Sequence, residues 1–182
     1  PEVDTSEFLD LEGIKIYQSM IGALQWAVTL GRFDILESVM TMSGFRVMPR
    51  QGHLDRLKRI YGFLKKHPDG AIRFRAGIPD HESIKMPETY DWAYSVYGEQ
   101  PEDLPRNLPI SRGKPVRITT YEDANLMHDL LTGRSVTGCI HLVNQTPVYW
   151  FSKKQNSVET ATYGSEFVAA RLATEQIMDL KY

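Results

Sequence analysis

The sequence has one cysteine, Cys139, and no apolar run close to the roughly 18 residues of a membrane span. It opens with no basic–apolar–small pattern of a signal peptide. A lone cysteine excludes an intramolecular disulfide framework and any cysteine-rich zinc site. There is no glycine-rich phosphate loop. His53, His67, His81, His128 and His141 follow no metal-ligand spacing, and Ser152 and Ser157 lack a recognisable base partner. Cys139 falls in an expected strand with no matched histidine and reads as a buried thiol. Neither sign of charge dominates, with 21 Lys+Arg against 23 Asp+Glu. What is present is an ordinary globular composition: 182 residues, 42% hydrophobic and 24% charged, enough to bury a core in one large or two small domains.

The net charge of −2 hides opposing blocks. The first 12 residues hold five acids and no base. Arg46 to Arg75 holds nine bases and two acids, a net of +7, and Ala76 to Pro105 holds seven acids and Lys85 alone, a net of −6. A basic block this dense is a candidate phosphate-binding surface; the bland alternative is a solvated helix face.

Tyr17, Met20, Ile21, Leu24 and Val28 form one stripe, which predicts a helix over about 14–30 with Gly31 as its stop. A second helix is expected over 33–42. A third is expected over 52–66, with Leu54, Leu57, Ile60, Tyr61 and Leu64 inward and Arg56, Lys58, Arg59, Lys65 and Lys66 outward. Residues 71–75 alternate like a short strand. Six of the ten prolines then fall between Pro79 and Pro115, in the acidic stretch, which reads as a connector. Its aromatic segment, Tyr90 to Tyr97, is a candidate edge strand. Beyond it, strands are expected at 116–121, 138–143 and 147–151, the last two joined by a hairpin loop at Asn144-Gln145-Thr146. A helix follows over about 162–180, with Glu166, Ala169, Ala170, Ala173, Ile177 and Leu180 along one stripe.

Two acids look misplaced in this layout. Asp123 comes where the chain is expected to leave the first strand, and Glu166 heads the sheet-facing stripe of the last helix. A carboxylate on a packing stripe is costly unless paired or bound to a cation. If the helix packs on the first strand, the two acids could converge at the sheet edge and suit Mg²⁺, which keeps most of its water. The alternatives are ordinary: a helix N-terminal charge for Glu166 and a turn residue for Asp123.

Four motifs in order then carry a resemblance: Tyr121-Glu122-Asp123-Ala124-Asn125, Gly133-Arg134-Ser135-Val136-Thr137-Gly138, Trp150-Phe151-Ser152-Lys153-Lys154-Gln155, and Glu159 to Phe167. Together they resemble the ribonuclease H region of copia-type retrotransposon polyproteins. Tyr17 to Leu24, Gly31 to Ile35 and His53 to Lys65 resemble the segment that follows the polymerase palm in the same family. Two departures stand out: Asn125 where the family often has a second aspartate, and Tyr163 where it often has a glutamate.

The resemblance implies an α/β chain, α+β overall, with a helical thumb-like unit at 1–75 and an acidic proline-rich connector at 76–114. A C-terminally truncated ribonuclease H-like mixed sheet with one long helix follows at 115–182. It implies that Asp123 and Glu166 are catalytic and bind Mg²⁺, and that the whole enzyme hydrolyses the RNA strand of an RNA–DNA hybrid. Arg56, Lys58, Arg59, Lys65 and Lys66 would contact the hybrid backbone, and Gly62 would allow close approach unless it serves helix packing. No Asp-Asp dipeptide occurs, so the polymerase pair is expected before residue 1, and the third and fourth ribonuclease H acids after Tyr182. The expected partners are the hybrid and the remainder of the polyprotein (palm, fingers and the rest of ribonuclease H), with no membrane. The expected setting is intracellular, in a cytoplasmic particle or the nucleus. The competing expectation is a non-catalytic binding or scaffold domain derived from such an element.

Overall fold

The computed structural model describes residues 3–79, 98, 103–110 and 112–181. Its first unit is built of three helices: α1 (Leu11–Thr29), α2 (Leu36–Ser43) and α3 (Gln51–Lys66), with a 3-10 turn, Phe33–Ile35, leading into α2. Asp10 caps α1, its carboxylate accepting from the Gly13 backbone N–H at 2.8 Å. The helix ends at Gly31, whose φ of +118° favours glycine, and a Cβ there would lie 2.9 Å from Ile72 Cδ1.

The 3.6-residue stripes of the helices meet in one core of Tyr17, Ile21, Leu24, Val28, Ile35, Val39, Met42 and Leu57. Tyr17 brings a hydroxyl into that core and donates it to the Met42 carbonyl at 2.7 Å. Burial pushes its phenol up to about 12. Tyr61 similarly reaches the Met20 carbonyl at 2.9 Å. The chain before α1 straps the start of α3. Ser6 Oγ accepts from the Gly52 N–H at 2.8 Å, and the Glu7 carbonyl accepts from the Gln51 N–H at 2.9 Å. His53, dismissed with the scattered histidines, is buried beneath this strap and stacks on Phe45 with centroids 3.9 Å apart.

The second unit is an antiparallel meander, β1 (Ile118–Asp129), β2 (Arg134–Val143) and β3 (Thr146–Lys154), in the order β1-β2-β3. Helix α4 (Thr162–Lys181) packs across β1 and β2. The fold is α+β, as expected. Pleat alternation on β2 buries Ser135, Thr137, Cys139 and His141 beneath α4. Their hydroxyls and imidazole make that seam polar. His141 donates from Nε2 to Gln176 Oε1 at 2.8 Å and shares a hydrogen bond through Nδ1 with Thr120 Oγ1 at 2.7 Å. The α4 side contributes the small residues Ser165, Ala169 and Ala173.

The two units touch through named contacts. Trp150 on β3 donates its indole N–H to the Val28 carbonyl at 3.1 Å and packs on Phe33, centroids 5.3 Å apart. His128 on β1 meets Glu37 and Thr41 of α2, each at 3.3 Å.

Several expectations need correction. Residues 71–75 form no strand; the backbone of Arg75 is bonded instead by a side chain at the start of β3, and that of Ala76 by one in the β2–β3 turn. Thr146 Oγ1 accepts from Arg75 N at 2.7 Å and donates to Arg75 O at 3.1 Å, and Asn144 Nδ2 donates to Ala76 O at 3.0 Å. The first strand does not end at Tyr121. It continues to Asp129, across a register shift after Asn125 where Met127 takes φ +51°. Asp123 therefore lies within the ladder, opposite Gly138, rather than at its exit. Ala170 and Leu180 are exposed and lie off the buried stripe of α4. The aromatic segment 90–97 lies outside the described residues.

Candidate functional site

Residues 118–125 of β1 pair with β2 without interruption, so successive side chains alternate between the two sheet faces. Ala124 is buried with Thr137, its partner, on the α4 face. Glu122 shares that parity and pairs with Cys139. Asp123 has the opposite parity. It lines an open, mainly apolar cleft of about 530 Å³ with Tyr121, Trp150 and, from the helical unit, Phe33, Leu36 and Glu37.

The carboxylate of β1 that faces Glu166 across the α4 seam is thus Glu122, which the sequence reading did not single out. Its carboxyl is held above the usual range by loss of solvent, then by the negative charges of Glu166 and Asp123. Among the described residues, no cation pairs with Glu122, Asp123 or Glu166. The structure does not bring the expected pair together on one face: Asp123 has the opposite parity to Glu122, and it is Glu122 that feels Glu166 most strongly. The three acids do not form a closed cage: no group of three or more candidate ligands converges among the described residues. Glu122 and Glu166, two carboxylates on the α4 side, could together hold a largely hydrated Mg²⁺.

The signal that would have found Glu122 is strand parity. It sits at the same pleat position as the buried Cys139 and His141, two and four residues along the paired strand from Thr137.

Glu166 lies in the second turn of α4, half-buried. Its neighbour Ser165 is fully buried and hydrogen-bonds the Thr162 carbonyl at 2.8 Å. Gln155, just beyond β3, donates to the Ser165 carbonyl at 2.8 Å and to Thr137 Oγ1 at 3.0 Å. Cys139 does have a histidine beside it, contrary to expectation: His141 Nε2 is 3.3 Å from its sulfur. Burial and then Glu122 push that thiol up to about 11, so it is a structural thiol and not a nucleophile.

The other candidate surface is α3. Arg56, Lys58, Arg59, Lys65 and Lys66 are all exposed, on the side opposite Leu57. Lys58 pairs with Asp55 at 3.4 Å, while the other four have no ion pair among the described residues. Gly62 lies between them, and a Cβ built there meets nothing within 4 Å. Helix packing therefore does not account for that glycine among the described residues. Phe63, on the same face, is 42% exposed and tilts against His67.

No family model and no solved structure matches the chain. It is 26% identical, over 83% of its length, to the retrovirus-related Pol polyprotein from transposon RE1 of Arabidopsis thaliana, of which it spans 8%. It is 25% identical, over 93% of its length, to the putative transposon Ty5-1 protein of Saccharomyces cerevisiae, spanning 43% of that protein. It is also 24% identical, over 88% of its length, to secreted RxLR effector protein 161 of Plasmopara viticola, spanning 87% of that one. The recurrence of transposon polyproteins among these relatives supports a retroelement polyprotein origin for the chain.

Proposed function

We propose that the chain is a copia-type segment of a reverse transcriptase and ribonuclease H polyprotein. Residues 1–75 supply a thumb-like helical unit, 76–114 a connector, and 115–182 the front of a ribonuclease H domain. The reaction of the whole enzyme is Mg²⁺-dependent hydrolysis of the RNA strand of an RNA–DNA hybrid. The observation that carries this reading is the recurrence of transposon polyproteins among the relatives of a chain whose β-meander is followed by a packed helix. Asp123 and Glu166 are the acids that the motif resemblance assigns to the metal. Mg²⁺ bound there would supply an activated water and neutralise charge on the cleaved phosphodiester. The protein's own part is to hold those carboxylates in place and to bind the hybrid. The exposed bases of α3 would track the phosphates of the duplex, and Gly62 would let a sugar–phosphate backbone come close.

Two carboxylates fall short of the four that the resemblance calls for. The 182 residues alone are therefore expected to bind hybrid but not cleave it. The test is Mg²⁺-dependent cleavage of a labelled hybrid by the purified chain, beside Asp123→Asn and Glu166→Gln. Robust cleavage lost in Asp123→Asn would refute the expected inactivity and make the segment a complete enzyme. Failure to bind hybrid at low salt would refute the nucleic-acid reading altogether.

A second reading has one observation in its favour: the relative from Plasmopara viticola matches this chain over nearly its whole length. On that reading the chain is a non-catalytic nucleic-acid-binding or scaffold domain derived from a degraded or repurposed retroelement, and its acids need not act. Hybrid binding that survives Asp123→Asn and Glu166→Gln, with no response of either residue to Mg²⁺, would favour it.

A further inference from the structure

Gln155 is 3% exposed and is joined to three parts of the α4 seam. Its backbone N–H donates to the Ser135 carbonyl at 2.8 Å, which fixes the end of β3 to β2. Its side-chain Nε2 divides its two hydrogens between Thr137 Oγ1, at 3.0 Å on β2, and the Ser165 carbonyl, at 2.8 Å on α4. Ser165 immediately precedes Glu166. Thr137 pairs across the ladder with Ala124, which immediately follows Asp123. One amide therefore bonds the residue before Glu166 and the strand paired with the segment that carries Asp123.

The rest of that amide is not used to advantage. Oε1 is buried with no hydrogen-bond partner among the described residues. A buried carbonyl oxygen left unpaired opposes folding. Its two acceptors gain little in exchange: the Ser165 carbonyl lies within a helix that already offers it a donor, and Thr137 has a hydroxyl that can turn elsewhere. A methionine of similar length would fill the same space without an orphaned oxygen. Stability alone does not explain a glutamine here.

We propose that Gln155 is a positioning residue that clamps the first turns of α4 to β2 and so holds Glu166 at a fixed place beside β1. The proposal rests on the proposed role of Glu166 only for its functional meaning; the clamp itself is a mechanical claim. Alanine residues on the α4 stripe, Ala169 and Ala173, allow close approach but give little resistance to sliding along the sheet. A directional bond at the first buried turn supplies the register that small apolar contacts do not.

The test compares the full chain with Gln155→Met, which removes the whole amide, and Gln155→Glu, which keeps the shape but replaces both N–H donors with a carboxylate oxygen. Amide hydrogen exchange is read by NMR along α4, without metal. The expected result is exchange about 10-fold faster at Ser165, Glu166 and Phe167, with Ala173 to Ile177 changed by less than about twofold. The denaturant midpoint of Gln155→Met should stay close to that of the parent chain. Unchanged exchange in the first turns, or uniform acceleration along the helix, overturns the clamp. Mg²⁺ titration of the same samples reads the amide shift of Glu166. A weaker response in both variants supports a positioning role. A response equal to the parent's overturns it, and no response in the parent chain refutes the Mg²⁺ reading while the exchange data still decide the clamp.

Discussion

Replacing Lys65 and Lys66 by glutamine tests the nucleic-acid reading most directly. Both lie in the last turn of α3, exposed, and neither has an ion-pair partner among the described residues. Of the five bases on this helix, Lys58 shares its charge with Asp55 at 3.4 Å. The remaining four, Arg56, Arg59, Lys65 and Lys66, are available to phosphates. Each phosphate neutralised contributes about 0.7–0.9 to the slope of log affinity against log salt. Four contacts give a slope of about −3, so hybrid affinity should fall roughly 100-fold between about 50 and 200 mM salt. The double substitution should reduce the slope to about −1.5 and the loss over the same range to about 10-fold. Fluorescence anisotropy of a labelled hybrid across a salt series measures both. Losing two cations near the α3 C-terminus also removes a favourable helix-dipole interaction, of about 0.3–1 kcal/mol each. A thermal unfolding control separates that effect from binding. Arg171→Gln serves as a surface control on α4, where the arginine pairs with Glu175 at 3.5 Å. A double variant with the parent's slope would show that the basic face is only solvated and would refute the assignment.

Other outcomes follow from the packing and the electrostatics. Leu57→Ala removes a fully buried side chain (0% exposed) from the meeting point of the helices and should cost about 2–5 kcal/mol by urea denaturation; a loss below about 1 kcal/mol would mean the site collapses freely. Asp129 organises the β1–β2 turn: although burial pushes its carboxyl up, hydrogen bonds from Lys154, Thr132 and the Leu131 N–H draw it down to about 2. Its folded-state value is thus depressed, so its contribution is complete above the ordinary carboxylate range and vanishes as pH falls toward about 2. Asp129→Asn should therefore destabilise by about 1–2 kcal/mol at neutral pH, with the gap to the parent closing on acidification; a pH-independent gap would argue against the ion pair. Glu122→Gln removes the group most crowded by Glu166 and Asp123, and should raise stability slightly without metal while weakening any Mg²⁺ response. An unchanged Mg²⁺ response at the Glu166 amide would exclude Glu122 from the site.

Much of this architecture was readable from one-dimensional periodicity. The stripe from Tyr17 to Val28 and the opposed faces of α3 needed only the 3.6-residue repeat, and the four α-helices appear within a few residues of expectation. Gly31 worked as a stop because its backbone conformation is one that other residues avoid. The strand at 71–75 failed because alternation describes a half-buried surface but not who supplies the hydrogen bonds. Here Thr146 bonds the backbone of Arg75. The extension of β1 through Asp123 to Asp129 was hidden by polar residues that do not look like a strand. It forms because β2 offers a continuous ladder.

By itself, then, the sequence determined the helices, the hairpin, the opposing charge blocks and the short catalogue of acids and bases worth testing. These depend on local spacing, and local spacing is written directly in the chain. Only the tertiary structure decided which carboxylate stands opposite Glu166, that Cys139 has His141 beside it, and that Gln155 is buried between β2 and α4. Each of those depends on strand parity and register across long sequence separations. A shift of one residue in the pairing would turn Glu122 away and bring Asp123 to the helix face instead.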